Sequence, residues 1–179
     1  MELKNMKFID LFAGIGGFRY ALESLGCTCV FSSEWDKFCK MSYTLNFKET
    51  PHGDITKIDE KDIPKFDILC AGFPCQPFSI SGNQKGFGDT RGTLFFDIAR
   101  IVKYHKPKVI LLENVKNLKA HNGGATFNVI STVLKNLNYN IYYKVLNAKN
   151  FGLPQNRERI AIVCIREDID SGKFKFPKE

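Results

Sequence analysis

A single cysteine stands between two prolines in the run Gly72-Phe73-Pro74-Cys75-Gln76-Pro77-Phe78-Ser79. Each proline fixes its own φ and turns the residue before it away from the helical region, so the thiol sits on a stiff backbone. The run follows Asp67-Ile68-Leu69-Cys70-Ala71, which reads as a buried strand. A rigid thiol at the carboxyl end of such a strand suits a nucleophile, because α/β sheets take their ligands there. A carboxylate closes a second strand in a comparable way. Glu113, in Glu113-Asn114-Val115, follows the apolar run Val109-Ile110-Leu111-Leu112. Bordering a buried strand, it is expected to be desolvated, which favours the protonated form and suits a proton donor. Arg157 and Arg159 stand two apart and would share one face of an extended segment.

A further group of residues carries binding chemistry. Lys7 to Phe12 is a β-rich run ending in Ala13-Gly14-Ile15-Gly16-Gly17, after which Phe18, Ala21, Leu22 and Leu25 recur at helical spacing. Strand, glycine loop and helix in that order let the backbone approach a ligand closely before turning into the helix. Glu34 ends the next strand, Thr28 to Ser32, and lies 20 residues after Gly14 (34 − 14). A carboxylate at that distance is placed to accept hydrogen bonds from ribose hydroxyls. Trp35, the only tryptophan, could stack on an adenine ring. Asp54 reads either as a partner for an adenine amino group or as an ordinary turn aspartate.

The elements that must position these groups alternate along the chain. Lys37 to Phe47 is predicted as a helix with Phe38, Met41 and Leu45 on one face; Pro51 and Gly53 mark a turn, and a short strand precedes Asp54. Leu94, Ile98, Ile101 and Val102 define another helix, and Phe127, Ile130, Val133, Leu134 and Leu137 one more. Tyr139 to Leu146 and Ile160 to Ile165 are strands too close in sequence for a helical crossover, so they are expected to pair antiparallel. The whole reads as one α/β domain over residues 1–179: a Rossmann-like, doubly wound, mostly parallel sheet with an antiparallel strand near the carboxyl end. Between Ser79 and Gly92, the glycines 82, 86, 88 and 92 mark a long loop of the kind that serves as a functional lid. Its Ser79, Ser81, Lys85 and Arg91 suit contact with a phosphate backbone.

Composition narrows the classes. A chain of 179 residues fits one domain with a single core. No run approaches a membrane span and the amino end lacks a secretory pattern, so a cytoplasmic location is expected. Six cysteines, at 27, 29, 39, 70, 75 and 164, include no pair with the two-residue gap of a zinc or redox motif. Neither a metal site nor a disulfide framework is expected, and Cys75 alone is read as chemical. The formal charge of +7, from 26 basic and 19 acidic residues, permits a nucleic-acid partner and fits a merely basic surface equally well.

Five motifs occur in order: Phe12-Ala13-Gly14-Ile15-Gly16-Gly17, Glu34-Trp35-Asp36, Gly72 to Ser79, Glu113-Asn114-Val115 and Gln155-Asn156-Arg157-Glu158-Arg159. Together they make the chain resemble the catalytic part of cytosine-5 DNA methyltransferases, over essentially its whole length. The resemblance implies S-adenosylmethionine as the methyl donor, lying over Phe12, Ala13, Gly14, Ile15, Gly16 and Gly17. Glu34 would hold its ribose, Trp35 and Asp54 would lie near its adenine, and Ile55, Gly72, Pro74 and Leu94 would complete the pocket. It further implies that Cys75 attacks carbon 6 of cytosine, that Glu113 holds or protonates nitrogen 3, and that Arg159, supported by Arg157, sits by the base carbonyl oxygen. The base would be flipped out of double-stranded DNA, with Gln76 joining Ser79, Ser81, Lys85 and Arg91 at the nucleic acid.

Complete enzymes of this kind continue past the arginine motif into a target-recognition region and a segment that packs beside the first strand. This implies one subunit of a split restriction-modification enzyme, with recognition on a second polypeptide, or a shortened form of a longer one; the first strand would keep an uncovered flank. A transfer-RNA cytosine-5 methyltransferase shares the same core motifs, and a noncatalytic donor-binding fragment would keep the glycine loop. A nicotinamide-dependent dehydrogenase would use the glycine loop and Glu34 but leaves Cys75 and the arginines without a role.

Overall fold

The apolar runs pair into one six-stranded sheet, and the amphipathic segments between them form helices. The structure, a computed structural model, describes residues 3–74 and 94–178. The proposed nucleophile Cys75, the residues Gln76, Ser79, Ser81, Lys85 and Arg91, and the expected lid all lie outside the described residues. In chain order the elements are β1 (Lys7–Leu11), α1 (Gly17–Ser24), β2 (Thr28–Ser33), α2 (Lys37–Phe47), β3 (Ile68–Ala71), α3 (Leu94–His105), β4 (Val109–Val115), α4 (Ala125–Asn136), β5 (Tyr139–Asn147) and β6 (Glu158–Arg166). The sheet order is β2-β1-β3-β4-β6-β5. The first four strands are parallel, and β6 runs antiparallel to both β4 and β5. This is the expected Rossmann-like arrangement. The short strand expected before Asp54 reduces to a single bridge between Ser33 and His52, because Pro51 has no N–H to extend a ladder.

The two faces of the sheet are covered unequally. On one face Ile9, Leu11, Leu69, Ala71, Ile110, Leu112, Ile160, Ile162 and Cys164 pack against α3 and α4 in one large core. On the other, α1 covers Phe8, Ile68 and Cys70 through Leu22, and its cover stops near β3. Val109 and Leu111 of β4 and Ala161, Val163 and Ile165 of β6 are only half-buried there. The expected uncovered flank is therefore not at the first strand. β1 is hydrogen-bonded on both sides, and Phe8, Ile9, Asp10 and Leu11 are wholly buried.

The helix expected over Lys37–Phe47 forms, but its apolar stripe does not face the core. Phe38, Met41 and Leu45 point to solvent, and Tyr43 is the side chain that α2 buries. The reason lies in α1, which meets α2 through Arg19. The guanidinium is buried and binds the Tyr43 hydroxyl at 3.1 Å, Glu23 at 2.9 Å and Glu49 at 3.0 Å. A charge removed from water needs such partners; α2 turns Tyr43 inward to supply one of them and lays Phe47 on the same guanidinium.

Candidate active site

The glycine loop leaves β1 at Phe12, whose φ is +55°. Ala13 N–H then donates to the Ser33 carbonyl at 3.0 Å, and Gly16 N–H to the Ala13 carbonyl at 2.8 Å. Gly14 and Gly16 both have positive φ, +56° and +92°. At Gly16 a Cβ would stand 2.1 Å from Phe47 Cε2, so only glycine fits. Phe47 is held in turn by Arg19, whose guanidinium lies 4.7 Å from the ring centroid.

Glu34 answers the loop from the end of β2. Its Oε2 accepts the Gly14 N–H at 2.8 Å, and its Oε1 accepts those of Trp35 and Asp36, also at 2.8 Å. A carboxylate has about four acceptor positions; three are used, and one on Oε2 is left for a hydroxyl. The Trp35 indole stands beside it, largely exposed. Asp54 caps the turn Ile55–Lys57, its Oδ1 accepting from Thr56 N–H at 3.0 Å and from the Thr56 hydroxyl at 2.8 Å. Those bonds hold its carboxyl below the usual range. The Ile55 side chain belongs to the core, so only its backbone could meet a ligand. A loop that permits close backbone approach, one spare carboxylate acceptor and an open indole fit the adenosine part of a nucleoside-bearing donor.

The second group is built by the antiparallel register of β4 and β6. Glu113 stands opposite Ala161 and Val115 opposite Arg159, so Glu113 and Arg159 are diagonal neighbours on one face. Glu113 Oε1 lies 3.0 Å from Arg159 Nε and 3.8 Å from Arg157 Nη2. The three residues singled out from the sequence are thus brought together. The expected desolvation of Glu113 is not found: its side chain is one-third exposed, at 33%. It lies on the half-open face of the sheet, among guanidinium groups rather than apolar walls. Gly72, at the end of β3, lies against it; a Cβ there would be 3.6 Å from Glu113 Oε2. Pro74 is exposed, and Leu94 opens α3 half-buried.

Two positioning residues escaped the sequence reading. Asn114, 2% exposed, donates from Nδ2 to the Phe73 carbonyl at 2.8 Å and accepts the Val115 N–H at Oδ1. It ties the backbone two residues before Cys75 to the strand that carries Glu113. Asn147 accepts the N–H groups of Lys149 and Arg157 at 3.3 and 3.2 Å and donates to Asn156 Oδ1 at 2.7 Å, which fixes Arg157 just before β6. Asn114 stood inside the Glu113-Asn114-Val115 motif without a role of its own, and the signal for both is an asparagine at a strand end, where such side chains bond nearby backbone.

Behind the loop, the sheet register aligns Ser32, Asp10 and Cys70 on neighbouring strands. Neither Asp10 carboxyl oxygen has a hydrogen-bond partner among the described residues. Burial pushes Asp10 up to about 8, and the nearby backbone and charge of Arg19 offset this only in part. The five described cysteines are free. Burial pushes the thiols of Cys27, Cys29, Cys39, Cys70 and Cys164 up, which keeps them poor nucleophiles.

Residues 6–179 match the family model described as C-5 cytosine-specific DNA methylase. The chain is 58% identical over 177 residues to the Type II methyltransferase M.HhaI of Haemophilus parahaemolyticus, covering 99% of this chain and 54% of that protein. It is 60% identical to the Type II methyltransferase M.SsoII of Shigella sonnei, covering 98% of this chain and 47% of that one. The crystal structure of the S. pombe Dnmt2 methyltransferase superposes with a TM-score of 0.75 at 25% identity, covering 97% of this chain and 53% of that chain. The chain spans about half the length of the relatives it matches.

Proposed function

The chain belongs to the C-5 cytosine-specific DNA methylase family, and from that premise we propose that it carries the methyl-transfer chemistry of such an enzyme. The reaction is transfer from S-adenosylmethionine to carbon 5 of cytosine in double-stranded DNA, with Cys75 as the covalent nucleophile. The observation that carries this reading is the meeting of Glu113 with Arg159 and Arg157 beside Gly72, on the arm that leads to Cys75.

Carbon 5 of cytosine is a poor nucleophile. Addition of the Cys75 thiolate to carbon 6 opens the 5,6 double bond and directs its electron pair toward carbon 5. Glu113 meets the ring at nitrogen 3, and Arg159 faces the base carbonyl oxygen, so charge gathered by the ring during attack is met by groups already in place. Arg157 supports the same site, its Nη2 standing 3.8 Å from the Glu113 oxygen that Arg159 meets. S-adenosylmethionine, when bound, supplies an electrophilic methyl group. Gly14, Gly16 and Gly17 would give it backbone, Glu34 its ribose acceptor, and Trp35 and Asp54 its adenine contacts. Loss of the carbon 5 proton then lets the Cys75 sulfur depart with its electron pair and restores the ring. The target base must leave the stack for these groups to reach it, and Gln76, Ser79, Ser81, Lys85 and Arg91 hold the opened strand. Sequence recognition belongs to a second polypeptide if the enzyme is split, or to the rest of a longer chain of which this is a part, and the place of action is DNA in the cytoplasm.

The test is covalent trapping. The chain, alone and together with a co-purifying polypeptide, is incubated with labelled donor and duplex DNA carrying 5-fluorocytosine, and in parallel with transfer RNA. A DNA adduct that disappears in Cys75→Ser is the expected result. Transfer to RNA alone would favour the RNA enzyme. Donor binding without any adduct would leave a donor-binding fragment.

A further inference from the structure

Helix α2 turns an apolar seam to solvent. Phe38 is 73% exposed, Met41 55% and Leu45 70%. They recur at i, i+3 and i+7 and so line one side of the helix. Trp35, 78% exposed, stands at its amino-terminal end. The opposite side is already satisfied by α1, through Tyr43 on Arg19 and Phe47 against Gly16. Three large apolar side chains in line on a short helix are not the scattered exposure that every surface shows; a contiguous patch marks a contact site.

The charges beside the seam describe what it contacts. α2 contains Lys37 and Lys40, with Lys48 as its C-cap, and no acidic residue. At about 100° per residue, Lys37 falls along one margin and the uncharged Ser42 and Asn46 along the other; Lys48, in the left-handed cap, ends the seam with its ammonium 3.0 Å from the Leu45 carbonyl. A straight seam of this length fits the ridge of another helix. A second copy of the chain, packed antiparallel, would set the two lysine margins side by side, and the chain already carries +7. Nucleic acid would engage the lysines and leave Phe38, Met41 and Leu45 without apolar partners.

We propose that this seam docks an amphipathic helix of a partner protein, one with apolar residues at matching spacing and Asp or Glu along the margin facing Lys37 and at the end facing Lys48. The inference is independent of the methyl-transfer reading, since none of Phe38, Met41 and Leu45 belongs to the candidate active site.

The probe is a synthetic helix with leucines at i, i+3 and i+7 and glutamates along one margin, beside a twin with lysines in their place. Each is titrated into the full chain while the fluorescence of Trp35, the sole tryptophan, is followed. The acidic helix is expected to bind with a blue shift and the basic twin about tenfold more weakly. The double variant Phe38→Ser, Leu45→Ser is expected to lose about tenfold or more, as for anchor residues of an interface. Both positions are exposed, and circular dichroism checks that the variant stays folded. Absence of binding, equal binding of both helices, or binding indifferent to the double variant overturns the proposal. So does self-association in sedimentation that the double variant abolishes, or displacement of the acidic helix by a short DNA duplex.

Discussion

Arg159 divides its guanidinium between two tasks. Nε meets Glu113 at 3.0 Å, and Nη1 donates to the Glu158 carbonyl at 2.9 Å. Its remaining nitrogen is the one that would face a base. Arg159→Ala is expected to lower kcat by roughly 10²- to 10³-fold, the usual loss when one charge-stabilising donor is removed. Binding of labelled donor, measured by equilibrium dialysis, should stay unchanged; a parallel loss of donor binding would mean that the variant disturbs the fold. Asp10 makes a prediction of a different kind. Its folded carboxyl keeps its proton up to about 8, against 3.8 for the ordinary group. Between these values the folded chain binds the extra proton, so stability falls as pH rises through that window. Asp10→Asn has no such proton to lose. The difference between the urea midpoints at about pH 5 and about pH 8 should therefore be smaller in the variant than in the parent chain.

Among the elements, the turn from β1 into α1 depends on a contact from α2. Gly16→Ala would drive a methyl into the Phe47 ring at a φ of +92°, and such strain costs about 1–3 kcal/mol. Gly17 has open space where a Cβ would go and already starts the helix, so Gly17→Ala should be neutral or slightly stabilising. Urea denaturation of the two variants separates them, and donor affinity should fall in the first. The helix periodicity of α2 was legible because it is local. Which side of α2 faces the core was not, because that was decided by the buried Arg19 on a different helix.

The whole molecule has one closed face and one that is half-open. Ile162 and Val163 are neighbours on β6 but look opposite ways, the first into the main core and the second onto the half-buried face. Ile162→Ala is expected to cost about 2–5 kcal/mol. Val163→Ala should cost under about 1 kcal/mol in the chain by itself. Binding of a polypeptide over that face would raise the second figure, so the pair measures whether the face is covered. Equal costs in the chain alone would show that the face is already closed.

From the sequence by itself came the order of strands and helices, the glycine loop, and Cys75, Glu113, Arg157 and Arg159 as the residues to watch. Each rests on near neighbours: a period of two or of 3.6, a proline on either side of a thiol, an acid at the end of an apolar run. Only the tertiary structure joined Glu113 to Arg159, because the antiparallel register of β4 and β6 is set by pairing over long range. It alone put Asn114 on Phe73, sealed Asp10 without a hydrogen-bond partner among the described residues, and left Phe38, Met41 and Leu45 in water. Periodicity states which residues share a face; which faces are covered depends on what the rest of the chain brings against them.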